Sequence, residues 1–313
     1  MGFDPADDGN DGFGLVAVLV FMLIVSAVVV PFALTARTRL MIAGNEMEHE
    51  RLSMVADGLV NVVASELFDD QAATKLPQNA EPARCHSGQF SYELTIQDHS
   101  GLIDLNAASD QLLTQGVASL GFAPQTAGEI AKAIVTFRGP PNAFAAGVQP
   151  QSSLGPRQNK FAAFESVSEL QEFSALAAIP LRDLYGAFTV DLKQGSIALA
   201  KAPRRLRTIV TGTSPDGQQD GQQEGQQEGQ PGGEDNGGTV YTVEVTARRD
   251  GSGIVGQAGL VVEKSPLMAT GFRRVSSMPA AEIGAAEPTA SAPTTACDRL
   301  FGGAVAQLLG QWS

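Results

Sequence analysis

The densest group of side chains able to do acid–base or metal chemistry is Asp98, His99 and Asp104, within QDHSGLIDLN. Two carboxylates and an imidazole have the right donor types for a cation, but the alternating oxygen ligands and closing Glu of an EF-hand loop do not follow. Short acidic side chains beside Ser and Gly at the end of an alternating apolar run fit turn chemistry instead, each carboxylate bonding backbone N–H groups just ahead of it. The only cysteines, Cys85 and Cys297, offer a second chemistry. With His86 and His99 they supply four zinc-type donors, yet adjacent Cys85 and His86 cannot easily face one ion. In an oxidising compartment the same two cysteines are candidates for a disulfide that ties the distal tail to the strand region. No GxSxG, GxxxxGK[ST], HExxH or CxxC pattern occurs in the chain. Those spacings position a nucleophile, a phosphate cradle or a metal, so the expectation is a non-enzyme without a resident cofactor.

The elements that must position these residues are unevenly distributed. From Phe13 to Leu34 runs FGLVAVLVFMLIVSAVVVPFAL, 22 residues without a charge. About 20 apolar residues span a bilayer as a helix, whereas a secretory signal core is shorter and follows a basic segment. The leader MGFDPADDGNDG has four Asp and no basic residue. Residues 13–34 therefore read as a transmembrane helix. Residues 35–70 carry on without a turn signal, with Leu52, Val55, Leu59, Val62, Val63 and Leu67 at three- and four-residue steps. Arg51, Asp57 and Glu66 are among the polar positions. The product is one helix of about 55 residues and about 80 Å, apolar in its first half and amphipathic in its second.

Beyond it, 75–87 reads as loop and 88–97 as a strand, with Phe90, Tyr92, Leu94 and Ile96 alternating to one face. Residues 101–192 carry short helical patterns, with Ser109, Thr126 and Ser166 as candidate N-caps. Glu129 and Glu169 follow the last two at capping-box spacing. Between them, 139–160 reads as loop. Residues 193–211 read as connecting strand or turn, and 212–238 (a tandem GQQD, GQQE, GQQE run) as disordered, since Gly, Gln and acids bury too little to offset ordering. Two more strands follow at 239–248 and 256–263 within a terminal segment, 239–270. The tail 271–313 reads as loose, ending in a short amphipathic pattern.

Composition narrows the function classes. The 313 residues carry a formal charge of −13 and only 6% aromatics. Nucleic-acid binding needs a basic face or stacking platforms, so neither duplex nor single-strand binding is expected. The competing reading is a membrane-anchored DNA-handling module of a competence or type IV pilus system, with helix–hairpin–helix pairs at 108–137 and 166–188. Such pairs offer backbone N–H groups of a Gly-containing hairpin to phosphate. The second pair lacks that Gly and is surrounded by Asp and Glu.

Gly12–Phe13 before an apolar helix that continues as a stem resembles the start of type IV pilin-like proteins. Two internal blocks sharpen the likeness. IQDHSGLIDLNAASDQLLTQGVASLGF resembles the "DESGKIDLNTAS" block of the general secretion pathway protein K (GspK) family. FESVSELQEF and LYGAFTVDLKQGSIALAKAP resemble that family's later "VEEL" helix, strand and "N-NTAP" turn, with SALAAI where the family has "VPGM". YTVEVTARRDGSG resembles its terminal strand region. The blocks fall in order and cover most of residues 12–265.

The resemblance implies an α+β fold: a pilin-like N-terminal transmembrane and stem helix, a small antiparallel sheet divided between 71–100 and 239–270, and an inserted all-helical, SAM-like or helix-hairpin-like domain at 101–192. It implies a minor pseudopilin of a type II secretion system, with residues 1–12 as a prepilin leader cut between Gly12 and Phe13, and Gly14 as the competing site. Methylation of the new N-terminus follows from the same likeness. The implied partners are other minor pseudopilins of a tip complex, the prepilin peptidase and the inner-membrane secretion platform. Calcium is left open by the resemblance, with no ligands assigned. Arg37 and Arg39 follow the apolar run, so charge counting alone would keep the C-terminal bulk in the cytoplasm. The resemblance implies the periplasm. Counting from Phe13, the fifth residue is Ala17, where pilin-like proteins usually carry Glu, and this implies a place at the pseudopilus tip.

Overall fold

An uncharged apolar run leading into an amphipathic one can form a single helix, and it does. In the computed structural model α1 spans Asp11–Leu67, 57 residues, with Pro31 inside it. The model describes residues 11–68, 76–139, 154–156, 159–212, 240–265, 267–268, 271–278, 294–301, 305, 307, 309 and 311. The leader residues 1–10, most of the Gln/Gly run and the stretch 279–293 lie outside the described residues. The chain divides into two units, Met1–Arg51 and Leu52–Ser313.

From Leu15 to Leu34, within the first unit, the helix carries no charge and is exposed on every side: Leu15 is 68% and Phe32 76% exposed, with every large apolar residue between them open. Pro31 has no N–H to give the ladder. The Thr35 and Thr38 hydroxyls bond the carbonyls of Pro31 and Leu34 one turn back.

In the second unit, the last turns of α1 bury one face. Leu52, Val55, Ala56, Leu59, Val60, Val63 and Ala64 are buried there. The buried stripe is rotated slightly from the expected one, because Ala56, Val60 and Ala64 take part while Val62 and Leu67 are only half-buried. Small residues on that stripe let the sheet approach closely. At Gly256 an added Cβ would stand 2.2 Å from the Leu52 carbonyl carbon and 2.3 Å from the Ser53 nitrogen.

That sheet has six strands: β1 (Ala83–Ser87), β2 (Phe90–Asp98), β5 (Val240–Arg249), β6 (Val255–Lys264), β7 (Phe272–Met278) and β8 (Thr294–Ala296). Their order is β7-β6-β5-β2-β1-β8. All pairings are antiparallel except β1 with β8, which is parallel. Phe90, Tyr92, Leu94 and Ile96 of β2 join Tyr241, Val243, Val245 and Ala247 of β5 in the core beneath α1. Three expectations are corrected here. Ala83–Ser87 is a strand and not loop: its polar sequence hides the pattern, but its buried Cys85 meets β8. The sheet carries a third terminal strand, β7. The region expected to be loose therefore contributes β7, β8 and the buried Cys297, Phe301 and Leu309.

β2 and β5 are direct neighbours with Phe90 opposite Arg249 and Asp98 opposite Tyr241. Everything between them is thus an insertion into one sheet. It contains β3 (Ile103–Asp104), α2 (Asp110–Ser119), α3 (Pro124–Arg138), a 3-10 turn at Val167–Glu172, α4 (Leu181–Tyr185), β4 (Phe188–Thr189) and α5 (Arg204–Thr211). β3 and β4 pair in parallel, so the insertion is not wholly helical. It has its own core, built on Leu113, Ile134, Phe137, Phe173 and Phe188 and reaching to Leu206. Residues 193–211 are consequently part of this module, with a 3-10 turn at Leu199–Lys201 and α5 replacing the expected strand or turn.

Ser109 caps α2, and Ser166 with Glu169 forms a capping box. Thr126 does not cap α3. The cap is Ala123, because Pro124, whose fixed φ and missing N–H suit a first turn, starts the helix earlier.

Candidate functional site

The longest apolar surface in the chain is the first part of α1. It is long and apolar enough to cross a membrane, and none of its most apolar window is buried. In water, exposed side chains of this size would each forfeit about 1.5–3 kcal/mol relative to burial, so the segment requires lipid or protein around it. Ala17 lies on this run, exposed like its neighbours. The Gly12–Phe13 peptide falls in the first turn of α1. Further along the helix, Leu40, Met41, Ile42 and Met47 are exposed in the first unit and Met54 in the second. Leu40 and Met47 of the first unit are seven residues apart, a spacing that repeats one face of a helix. These residues give no signal in the amphipathic pattern, because that pattern marks the stripe facing the chain's own core and not one left outside it.

The polar cluster is divided among structural tasks. Asp104 is buried, and its carboxylate accepts four backbone N–H bonds: Asn106 (2.8 Å) and Ala107 (3.0 Å) on Oδ1, Leu192 (3.2 Å) and Lys193 (2.7 Å) on Oδ2. It therefore clamps the start of the module to its far loop, and Lys193 sits there at a left-handed φ of 56°. Asp98 is also buried, but only its Oδ1 has a partner, the Ser100 N–H at 2.9 Å. Its Oδ2 makes no hydrogen bond and stands 3.9 Å from Lys201 Nζ. His99 bridges the module and the sheet, its Nδ1 2.8 Å from the Thr189 hydroxyl and its Nε2 2.8 Å from that of Thr242. The bonds that Asp98 accepts from Ser100 and Asp104 from Asn106 and Ala107 are the turn chemistry expected of the cluster; the reach to Thr189, Leu192, Lys193 and Thr242 was not expected.

The four zinc-type donors are not brought together as a ligand set. His99 is committed to two threonines, and Cys85 is joined to Cys297 across a separation of 212 residues. Among the described residues no group of three or more His, Cys, Asp or Glu is placed to hold a metal ion. The disulfide lies where β1 meets β8, with Cys85 opposite Thr295.

Of the two expected helix pairs, α2 and α3 form a hairpin, with Gly121 at φ 99° between them. The region 166–188 does not form a second one, since a 3-10 turn and the five-residue α4 stand there. The hairpin presents little positive charge. Arg138 donates to the Leu105 and Ala108 carbonyls, and burial lowers its pKa while Asp110 and Asp104 oppose that shift. Glu244 of β5 is the most perturbed acid outside the membrane run. Burial pushes it up to about 7, against the attraction of Arg182.

No protein-family model matches the chain, and no curated protein matches it. Among solved structures it is similar to the crystal structure of the GspK-GspI-GspJ complex from the enterotoxigenic Escherichia coli Type 2 Secretion System. The TM-score is 0.45 at 12% identity, covering 78% of this chain and 98% of that chain.

Proposed function

We propose that this chain is a minor pseudopilin of a type II secretion system. It is anchored in the bacterial inner membrane by residues 13–34, carries its second unit in the periplasm, and sits at the pseudopilus tip, assisting export of folded proteins across the outer membrane. The observation that carries this reading is α1 itself, one helix that leaves its apolar residues open from Leu15 to Leu34 and buries a face under a sheet from Leu52 onward. A plain anchor needs only the first half. The ordered block likeness to the GspK family supplies the rest of the case, together with Ala17, which has no carboxylate to offer the N-terminal ammonium of a subunit ahead of it. A charge buried in hydrocarbon is costly without such a partner, and a subunit that enters first has no predecessor to neutralise.

The proposed partners are other minor pseudopilins along α1, the prepilin peptidase at Gly12–Phe13 and the inner-membrane platform. The exposed Leu40 and Met47 give a subunit helix something to pack on. Replacing Gly12 with a bulky residue should leave an uncut precursor. Exchanging residues 13–34 for a generic apolar helix should abolish secretion although the chain still reaches the membrane. Full secretion by the exchanged protein would show that the segment is an anchor and nothing more.

A further inference from the structure

The inserted module and the sheet each have a core, and the two cores share no residue. What joins them is a thin seam on the sheet face turned away from α1. Tyr241, Val243, Val245 and Ala247 of β5 point into the α1 core, so Val240, Thr242 and Glu244 point the other way. Val240 forms a small apolar patch with Val261 and Met278, on which Tyr185 and Leu192 of the module rest. The Thr242 hydroxyl meets His99 Nε2, whose other ring nitrogen meets Thr189, so the imidazole pins module to sheet. Gln97 of β2, opposite Thr242, donates to the Lys201 carbonyl at 3.0 Å.

Glu244 is the odd residue of this seam. Its carboxylate has no hydrogen bond among the described residues, and the charge that acts on it is Arg182 of α4. The other charged and titratable groups around it are engaged elsewhere. Asp183 of α4 lies 3.9 Å from Arg205, and Tyr185 of α4 lies 3.3 Å from the Ser166 hydroxyl. Glu93, diagonal to Glu244 on β2, is bound to Arg84 at 2.8 Å, and Arg248 lies four residues further along the same face of β5. Directly opposite stand Thr95 of β2 and Gly259 of β6, the second with no side chain to cover the acid. A carboxylate pressed against protein without a hydrogen bond loses solvation that Arg182 only partly returns. Burial accordingly raises its pKa from the ordinary 4.5 to about 7.

We propose that this seam is a proton-operated seat for the inserted module, closed while Glu244 holds its proton and loosened once the acid ionises. Lifting the module from β5 lets water reach the carboxylate, and neither core has to open for it. The sign follows from linkage. An acid that binds its proton more tightly in the closed arrangement favours closure fully below its ordinary pKa, and that preference is lost as the pH rises through about 7. Each unit of difference is tenfold in the ratio of loosened to closed. With the side chain half-buried, that ratio rises by at most about a hundredfold across the window. The seat belongs to the chain itself, whatever machine the chain serves.

The test attaches nitroxide spin labels through Lys132→Cys on α3 and Asp250→Cys in the β5–β6 turn, both exposed positions. The full chain is held in micelles with the Cys85–Cys297 bond intact. Pulsed electron paramagnetic resonance should read one narrow distance at about pH 5. At about pH 9 a second population should appear, its ratio to the first raised about ten- to a hundredfold. Glu244→Gln, which cannot ionise, should keep the acid distribution at both values. Arg182→Gln, which removes the attraction favouring the ionised acid, should enlarge the second population at the higher pH. A distribution indifferent to pH when Glu244 is present, or one that changes equally in Glu244→Gln, would overturn the proposal. So would a loss of far-ultraviolet circular dichroism in step with the second population, since the chain would then be unfolding and not releasing a seat.

Discussion

Asp104→Asn should cost the second unit a large part of its stability, whereas Asp98→Asn should cost it almost nothing. The two acids are six residues apart and both buried, so sequence alone gives no reason to separate them. Asp104 accepts two backbone N–H groups on each oxygen. An asparagine there must aim its amide N–H₂ at one of those donor pairs, which loses two bonds and sets donor against donor. Hydrogen bonds to a charged group are worth about 1.5–3 kcal/mol each, so the loss is about 3–6 kcal/mol. That is a large share of the roughly 5–15 kcal/mol that holds a typical domain together. At Asp98 the amide can occupy the place of Oδ2, which accepts nothing, while the remaining oxygen keeps Ser100. Lys201 is part-exposed and keeps its bond to Gln78, so it is not left a buried unpaired charge, and the expected change is within about 1 kcal/mol. Pulse proteolysis across a urea titration of the full chain in micelles measures both. Hydrogen exchange should speed at the Leu192 and Lys193 amides in Asp104→Asn alone. Equal destabilisation by the two variants, or a loss below about 1 kcal/mol for Asp104→Asn, would refute the clamp.

Gly256→Val should lower stability by about 1–3 kcal/mol or more, because the added carbons meet α1 backbone and not a side chain that can turn aside. Gly253→Ala, which meets nothing within 4 Å, is the control for the same thermal melt. Serine at both Cys85 and Cys297 should cost about 2–5 kcal/mol, given the length of the loop the bond closes, and reduced unsubstituted protein should behave like the double variant in the urea titration. Glu244 binds its proton more tightly folded, at about 7, than the ordinary carboxylate does at 4.5. The contribution of Glu244 to stability should therefore be fullest below about pH 4.5 and decline as the pH rises through 7, by at most about 3 kcal/mol since the side chain is only half-buried. Glu244→Gln should flatten that slope in melts at stepped pH.

The parts legible in the sequence were those with a strong period. The uncharged run marked the first part of α1, alternation marked β2 and β5, and the ARRDGSG turn before GLVVE marked β6. Ser109 and Ser166 with Glu169 announced their caps by residue type. What escaped detection was whatever depends on a distant partner. β1 reads as loop because ARCHS has no apolar alternation. It becomes a strand because β2 turns back on it and Cys85 is drawn under β8. β7 shows no apolar period either, since its five central residues are exposed and only its two ends are buried. α5 reads as strand or turn because Leu206 is its one buried residue, with Val210 only partly buried against the module core. The polar cluster was read correctly as turn chemistry, but the unequal shares of Asp98 and Asp104 depend on Leu192 and Lys193, 88 and 89 residues away from Asp104.

Intact-mass spectrometry of the protein taken from its native membrane tests the central claim most directly. It reads the N-terminus, its modification and the cysteine state in one spectrum. The account predicts a chain beginning at Phe13, heavier by one methyl group and lighter by the two hydrogens of a Cys85–Cys297 bond. A chain that retains residues 1–12, or begins elsewhere without methylation, would contradict it.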